Sequence, residues 1–96
     1  MMVVVTYDVR TEDNEGRRRL RRVAKACENF GQRVQKSVFE CKVDEKRLHI
    51  LRKRLLDRID EEEDSLRFYF IREPIEDNRE EYGCFTAIDF DKPLIV

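Results

Sequence analysis

Two segments with helical periodicity, each following a β-branched run, alternate within 96 residues, and that alternation leaves few folds open. Leu20, Val23, Ala24 and Cys27 recur at the spacing of one helix face, and Leu48, Leu51, Leu55 and Ile59 do the same further on. The spacing predicts helices over residues 15–29 and 44–60. Asp13 or Asn14, in the polar turn of residues 11–16, is placed to cap the first, and Gly31 ends it. Residues 2–9, with Val3, Val4 and Val5 in succession, read as a strand. Residues 33–43 read as a second strand of imperfect alternation. Phe39, Cys41 and Val43 share one parity while Val34 and Val38 share the other, so a bulge is expected near Ser37. Residues 65–71 form a third strand, with short ones expected at 79–82 and, after Pro93, at 94–96.

The resulting order, β-α-β-β-α-β, is the split βαβ of an α+β, ferredoxin-like fold, with a single antiparallel sheet and both helices on one face. No repeat, low-complexity stretch or linker divides the chain, so one domain over residues 1–96 is expected. In a monomer the uncovered face of such a sheet should be polar. Here Val3, Val4 and Val5 fall on both faces, and the third strand places Leu66, Phe68 and Phe70 on one side with Tyr69 and Ile71 on the other. A two-fold homodimer that buries the second face is the expected remedy.

Charged residues make up 43% of the chain and the mean hydropathy is -0.71. No apolar run approaches the ~18 residues of a membrane span. With no basic leader before the apolar run that Asp8 interrupts, a soluble, cytoplasmic protein is expected. Cys27, Cys41 and Cys84 are widely spaced, without a C-x-x-C, and read as reduced core thiols. The net charge of -1 hides a segregation. Residues 15–36 carry eight basic side chains against two acidic ones, a local net of +6. A phosphate backbone responds to that local field and not to the total.

Asp8 stands toward the carboxyl end of the first strand, with Tyr7 on the opposite face. One reading is a strand-end Asp that bonds loop amides. The other is a carboxylate that meets its symmetry mate across a dimer interface and holds Mg²⁺ or Mn²⁺, able to activate a water for phosphodiester attack. Arg18, Arg22 and Lys25 project away from the apolar stripe, and for them a solvated face and a nucleic-acid contact both stay open. Arg17 and Arg19 lie near the helix's amino-terminal end, where the macrodipole disfavours cations by roughly 0.3 to 1 kcal/mol each. A phosphate ligand at that end would account for the broken rule. His49 reads as structural, and Glu61, Glu62, Glu63 and Asp64 as a solvated helix end lacking the glycine and spacing of a calcium loop.

Three motifs taken together, Tyr7-Asp8-Val9, Asp13 with Arg17 four residues on, and the run from Gly31 to Glu40, resemble the CRISPR-associated Cas2 family. The likeness covers about the first half of the chain. It implies a ferredoxin-like homodimer with facing sheets and a carboxyl-terminal strand added to the partner's sheet. Members of the family bridge two dimers of the CRISPR integrase and hold the middle of a duplex prespacer during spacer acquisition, and some are described as metal-dependent ribonucleases or deoxyribonucleases. By motif position, Asp8 corresponds to the metal-binding, catalytic Asp and Tyr7 to its neighbour in the catalytic set. Arg17, Arg19 and Arg33, with Arg18 beside them, fall on the nucleic-acid surface, and Ser37 and Phe39 belong to the second-strand motif.

The expected function is therefore a dimeric, duplex-DNA-binding subunit of the spacer-acquisition complex, partnered by the integrase. Mg²⁺- or Mn²⁺-dependent endonuclease activity is a further expectation. The alternative is a free-standing, toxin-like endoribonuclease acting on single-stranded RNA. A small regulatory ligand-binding module is a third reading, which the +6 segment disfavours.

Overall fold

The computed structural model describes residues 1–84. Strand β1 (Met2–Asp8) is followed by helix α1 (Asn14–Glu28), strands β2 (Gln32–Gln35) and β3 (Val38–Lys42), helix α2 (Glu45–Arg58) and strand β4 (Ser65–Ile71). The four strands form one antiparallel sheet in the order β2-β3-β1-β4. This is the expected ferredoxin-like βαββαβ fold, although the strands between the helices differ from the single one the periodicity predicts.

Both helices begin on an aspartate. Asp13 accepts a hydrogen bond from the Gly16 amide (2.7 Å) and Asp44 from that of Arg47 (2.8 Å), each satisfying an otherwise orphaned donor. Gly16 is also a close approach, since a Cβ there would run into the Arg10 carbonyl. The helices bury Val23 and Cys27 from α1 and Leu48, Leu51 and Leu55 from α2 against Val3, Val5, Tyr7, Phe39 and Cys41 of the sheet. Alternation along β1 is strict: Val3, Val5 and Tyr7 are buried, while Val4 and Thr6 are half-buried and Asp8 is exposed on the other face.

The expected second strand is two strands. Residues 36–37 turn the chain between β2 and β3, and the pairing shifts between Arg33 and Gln35, leaving Val34 exposed. The break in parity that suggested a bulge near Ser37 thus has two causes, a hairpin turn there and an irregularity at Val34. Two other expectations change. Residues 79–82 form no strand within the chain, and a 3-10 turn at Ile75–Asp77 precedes them. His49 is exposed on α2, outside the core. The terminal strand at 94–96, and with it the strand expected to join a partner's sheet, lies outside the described residues.

The open face of the sheet carries Val4, Thr6 and Asp8 beside Tyr69, Arg67 and Ser65 of β4, and Glu40 and Val38 of β3. Arg79 reaches Glu40 there (2.7 Å), so residues 75–79 lie over the Met2 end of that face. The Asp8 end is left clear of that segment.

Candidate active site and nucleic-acid interface

Asp8 ends the central strand, opposite Ser65 in the register. Its carboxylate is exposed and takes part in no hydrogen bond or ion pair among the described residues. Among the described residues it therefore caps no loop amide. Nor does the chain gather further ligands around it: among the described residues, no group of three or more His, Cys, Asp or Glu is arranged to hold a metal ion. The carboxylate that the described residues place at this point is that of Asp8.

Tyr7 faces away from Asp8, into the helix-covered side. Its ring stacks on Phe39 (centroids 6.2 Å apart), and its hydroxyl donates a long bond to the Lys36 carbonyl (3.4 Å). Burial raises the phenol's pKa, and Cys27 adds to this, outweighing the opposing hydrogen bonds of Arg33 and Ser37. Tyr7 is thus a neutral donor at neutral pH. Arg33 lies over the Phe39 ring (5.1 Å), reaches Glu28 only at 3.8 Å, and has a buried Nε with no hydrogen-bond partner among the described residues. An unsatisfied donor of this kind is costly and is relieved by any acceptor that enters. Tyr7, Arg33 and Ser37 share a groove of about 560 Å³ with Arg21, and Leu20 and Ala24 supply its apolar lining. Phe39 itself is fully buried and acts from beneath, as the surface on which Tyr7 and Arg33 are set.

The arginine run divides three ways. Arg17 is exposed and folds back on the Thr11 carbonyl (3.2 Å) and the Asn14 side chain, which offsets its unfavourable place near the start of α1. Arg18 is exposed, with no ion pair among the described residues. Arg19 is a correction: its Nε donates to Asp64 Oδ2 (2.9 Å) and its Nη2 to Glu63 Oε2 (3.1 Å), leaving the side chain only 16% exposed. The broken dipole rule is answered there by internal carboxylates. Asp64 is likewise no solvated helix end. Fully buried, it also accepts from the amides of Arg10 (3.1 Å) and Asp60 (2.9 Å). Burial alone would raise its pKa; the hydrogen bonds from Arg19, Asp60 and Arg10 overcome that and hold it below the ordinary value.

The family model described as CRISPR associated protein Cas2 matches residues 1–79. The chain belongs to the Cas2 family. Its sequence is 54% identical over 96 residues to the CRISPR-associated endoribonuclease Cas2 1 of Moorella thermoacetica, covering all of both chains. It is 50% identical over 95 residues to the CRISPR-associated endonuclease Cas2 of Halalkalibacterium halodurans, covering 99% of each. Among solved structures, Streptococcus pyogenes Cas2 at pH 6.5 superposes with a TM-score of 0.78 at 51% identity, spanning 86% of this chain and all of that one. No helix among the described residues is long and apolar enough to cross a membrane.

In this Cas2 family member the expected site residues thus separate by face. Asp8 lies on the open side of the sheet, while Tyr7, Arg33, Ser37 and Phe39 meet on the covered side. Sequence reasoning did not place Arg21 with that second group. Its position in the arginine run was visible, but the turn that carries residues 33–37 back to α1 was not.

Proposed function

We propose that the chain acts as a homodimer that binds nucleic acid and cleaves phosphodiesters at a divalent ion held between two Asp8 carboxylates. The observation that carries this reading is the state of Asp8, an exposed carboxylate at the end of the central strand without a partner among the described residues. Mg²⁺ usually takes one or two carboxylates and completes its octahedral shell with water and phosphate, so two copies of Asp8 fit it and one chain alone fits it poorly. The chemistry that bound Mg²⁺, or Mn²⁺, supplies is Lewis acidity at the phosphoryl group. The chain's own contribution is to present the carboxylate on a rigid strand and to hold the polyanion with Arg17, Arg18 and Arg33. The names of the relatives, endoribonuclease and endonuclease, support the reaction class.

Support for the homodimer comes from the open face, where Val4, Val38, Tyr69 and Ile71 lie on the same side as Asp8, and from β4, an edge strand with Tyr69 and Phe70 exposed. An apolar edge left uncovered by the described residues invites pairing. Within the Cas2 family this suits a duplex-DNA-binding subunit of the spacer-acquisition complex, working beside an integrase subunit.

The test is Asp8→Asn, read in three ways on one preparation: mass by sedimentation, affinity for a DNA duplex, and metal-dependent cleavage of RNA and DNA. The expected result is a dimer of the 11.7 kDa chain that binds duplex normally and no longer cleaves. Loss of all three together would make Asp8 structural. Cleavage of single-stranded RNA by the unaltered protein, without duplex affinity, would favour the free-standing toxin-like endoribonuclease.

A further inference from the structure

The helical face carries a second cationic feature that the Asp8 site does not use. Where α1 packs on α2, Arg22, Lys25, Ala26 and Asn29 of α1 meet Arg54 and Arg58 of α2 around a groove of about 330 Å³. Four of these six residues are cations. None of the four forms an ion pair among the described residues, although other arginines of the chain find carboxylates readily. Lys25 and Arg58 complement the carboxyl-terminal ends of their own helices. Arg22 and Arg54 lie a turn further in, and the packing of the helices brings all four cations to the lining of one groove. Arg54 is also held in place, with its guanidinium over the Phe30 ring at 5.4 Å.

We infer that this groove is a second nucleic-acid contact, taking the phosphate backbone of a duplex that crosses the helical face. Like charges drawn together at a helix-helix seam are stabilised by a polyanion, and guanidinium pairs suit phosphate oxygens. The groove has the composition of a backbone contact and not of a protein-docking site. Ala26 is its one apolar lining residue, and the nearby aromatic ring, Phe30, is already covered by Arg47 and Arg54. Protein partners are anchored by buried aromatic or aliphatic groups, whereas DNA interfaces are polar and positively charged. Arg18, Arg22 and Lys25 follow one another at i, i+4 and i+7, so a single stripe of α1 leads from the expected phosphate contact at its amino-terminal end into the groove.

The inference rests on the nucleic-acid reading above, and its test separates the two. A mixed-sequence DNA duplex is bound to the unaltered protein and the lysines are acetylated, with Lys53, exposed on α2, as the reference. Lys25 should be protected several-fold and Lys53 should not. In Arg22→Gln/Arg54→Gln, the dependence of log affinity on log salt should flatten by about 0.9 for each lost contact. A duplex that binds while Lys25 stays reactive and the slope stays unchanged overturns the second contact and leaves the first intact. Protection of Lys25 by polyglutamate but not by duplex would overturn it in favour of an acidic protein. No duplex binding by the unaltered protein would remove both readings.

Discussion

Arg19 and Asp64 are joined across 45 residues of sequence by a two-pronged ion pair, Nε to Oδ2 at 2.9 Å and Nη2 to Oδ1 at 3.3 Å. Through it the first turns of α1 are tied to the loop before β4, and the Arg10 amide, just past β1, is tied to the same carboxylate. Removing the charge should leave buried donors without an acceptor. Asp64→Asn is expected to cost about 1–3 kcal/mol, measured by urea unfolding. Arg19→Ala should lower stability while leaving the salt dependence of duplex binding unchanged. A flattened salt dependence would return Arg19 to the nucleic-acid surface.

The same carboxylate gives the protein an acid-sensitive element. Folding lowers the Asp64 pKa from its ordinary 3.8, so the unfolded chain takes up the proton first as pH falls. The stabilisation is fully present above the unfolded value and is lost as pH drops through the lower folded value. Stability curves of the unaltered protein and Asp64→Asn should therefore converge as pH falls below the ordinary value of 3.8. Parallel curves over that range would show that Asp64 is not held below its ordinary value.

Tyr7→Phe separates the two faces of the sheet. The hydroxyl's bond to the Lys36 carbonyl is long and its phenol is only weakly engaged by Arg33 and Ser37, so the substitution should cost under about 1 kcal/mol. Because Tyr7 and Asp8 point to opposite sides, metal-dependent cleavage per bound substrate should persist. Affinity for nucleic acid should fall if the groove with Arg33 is occupied. Abolished cleavage at unchanged affinity would place the phenol in the chemistry.

The cysteines should react very unequally. Burial first, and neighbouring ionisable groups second, push the thiols of Cys27 and Cys41 up to about 12, whereas Cys84 is exposed. Iodoacetamide on the native protein at mildly alkaline pH should modify Cys84 alone, and all three thiols after unfolding, as counted by intact mass. Rapid native modification of Cys27 or Cys41 would mean that the helix-sheet seam opens.

Gly31 marks the closest approach between the end of α1 and β3. A Cβ there would strike the Glu40 carbonyl and the Cys41 Sγ, atoms of a central strand and its core side chain. Gly31→Ala should destabilise the fold by about 3 kcal/mol, as overpacking against backbone does. A thermal midpoint unchanged from the parent would show that β3 can yield at this point.

Periodicity made the fold legible because each helix has one apolar stripe and each capping aspartate stands where the stripe begins. The placement of Asp8 at the exposed end of β1 was legible as well, since a carboxylate closing a β-branched run stands out. The roles of the arginines were not. Arg17, Arg18 and Arg19 are consecutive in sequence, yet only Arg19 turns toward the loop that supplies Asp64, and nothing local to residues 17–19 announces that partner. Arg54 and Arg58 had no signal either, because their significance comes from the α1 residues packed beside them.

Strand β1 is paired on both sides, with β3 over residues 2–6 and with β4 over residues 2–8. A central strand so bound has no free edge at which an added residue could be looped out. One insertion or deletion between Val3 and Tyr7 would turn the phenol into solvent and drive the carboxylate against Phe39 and the helices. Substitutions along this strand can be absorbed one at a time, but its residue count cannot change by one. Peptide tags and permuted termini belong elsewhere, and the hereditary variation open to β1 is in spelling and not in length.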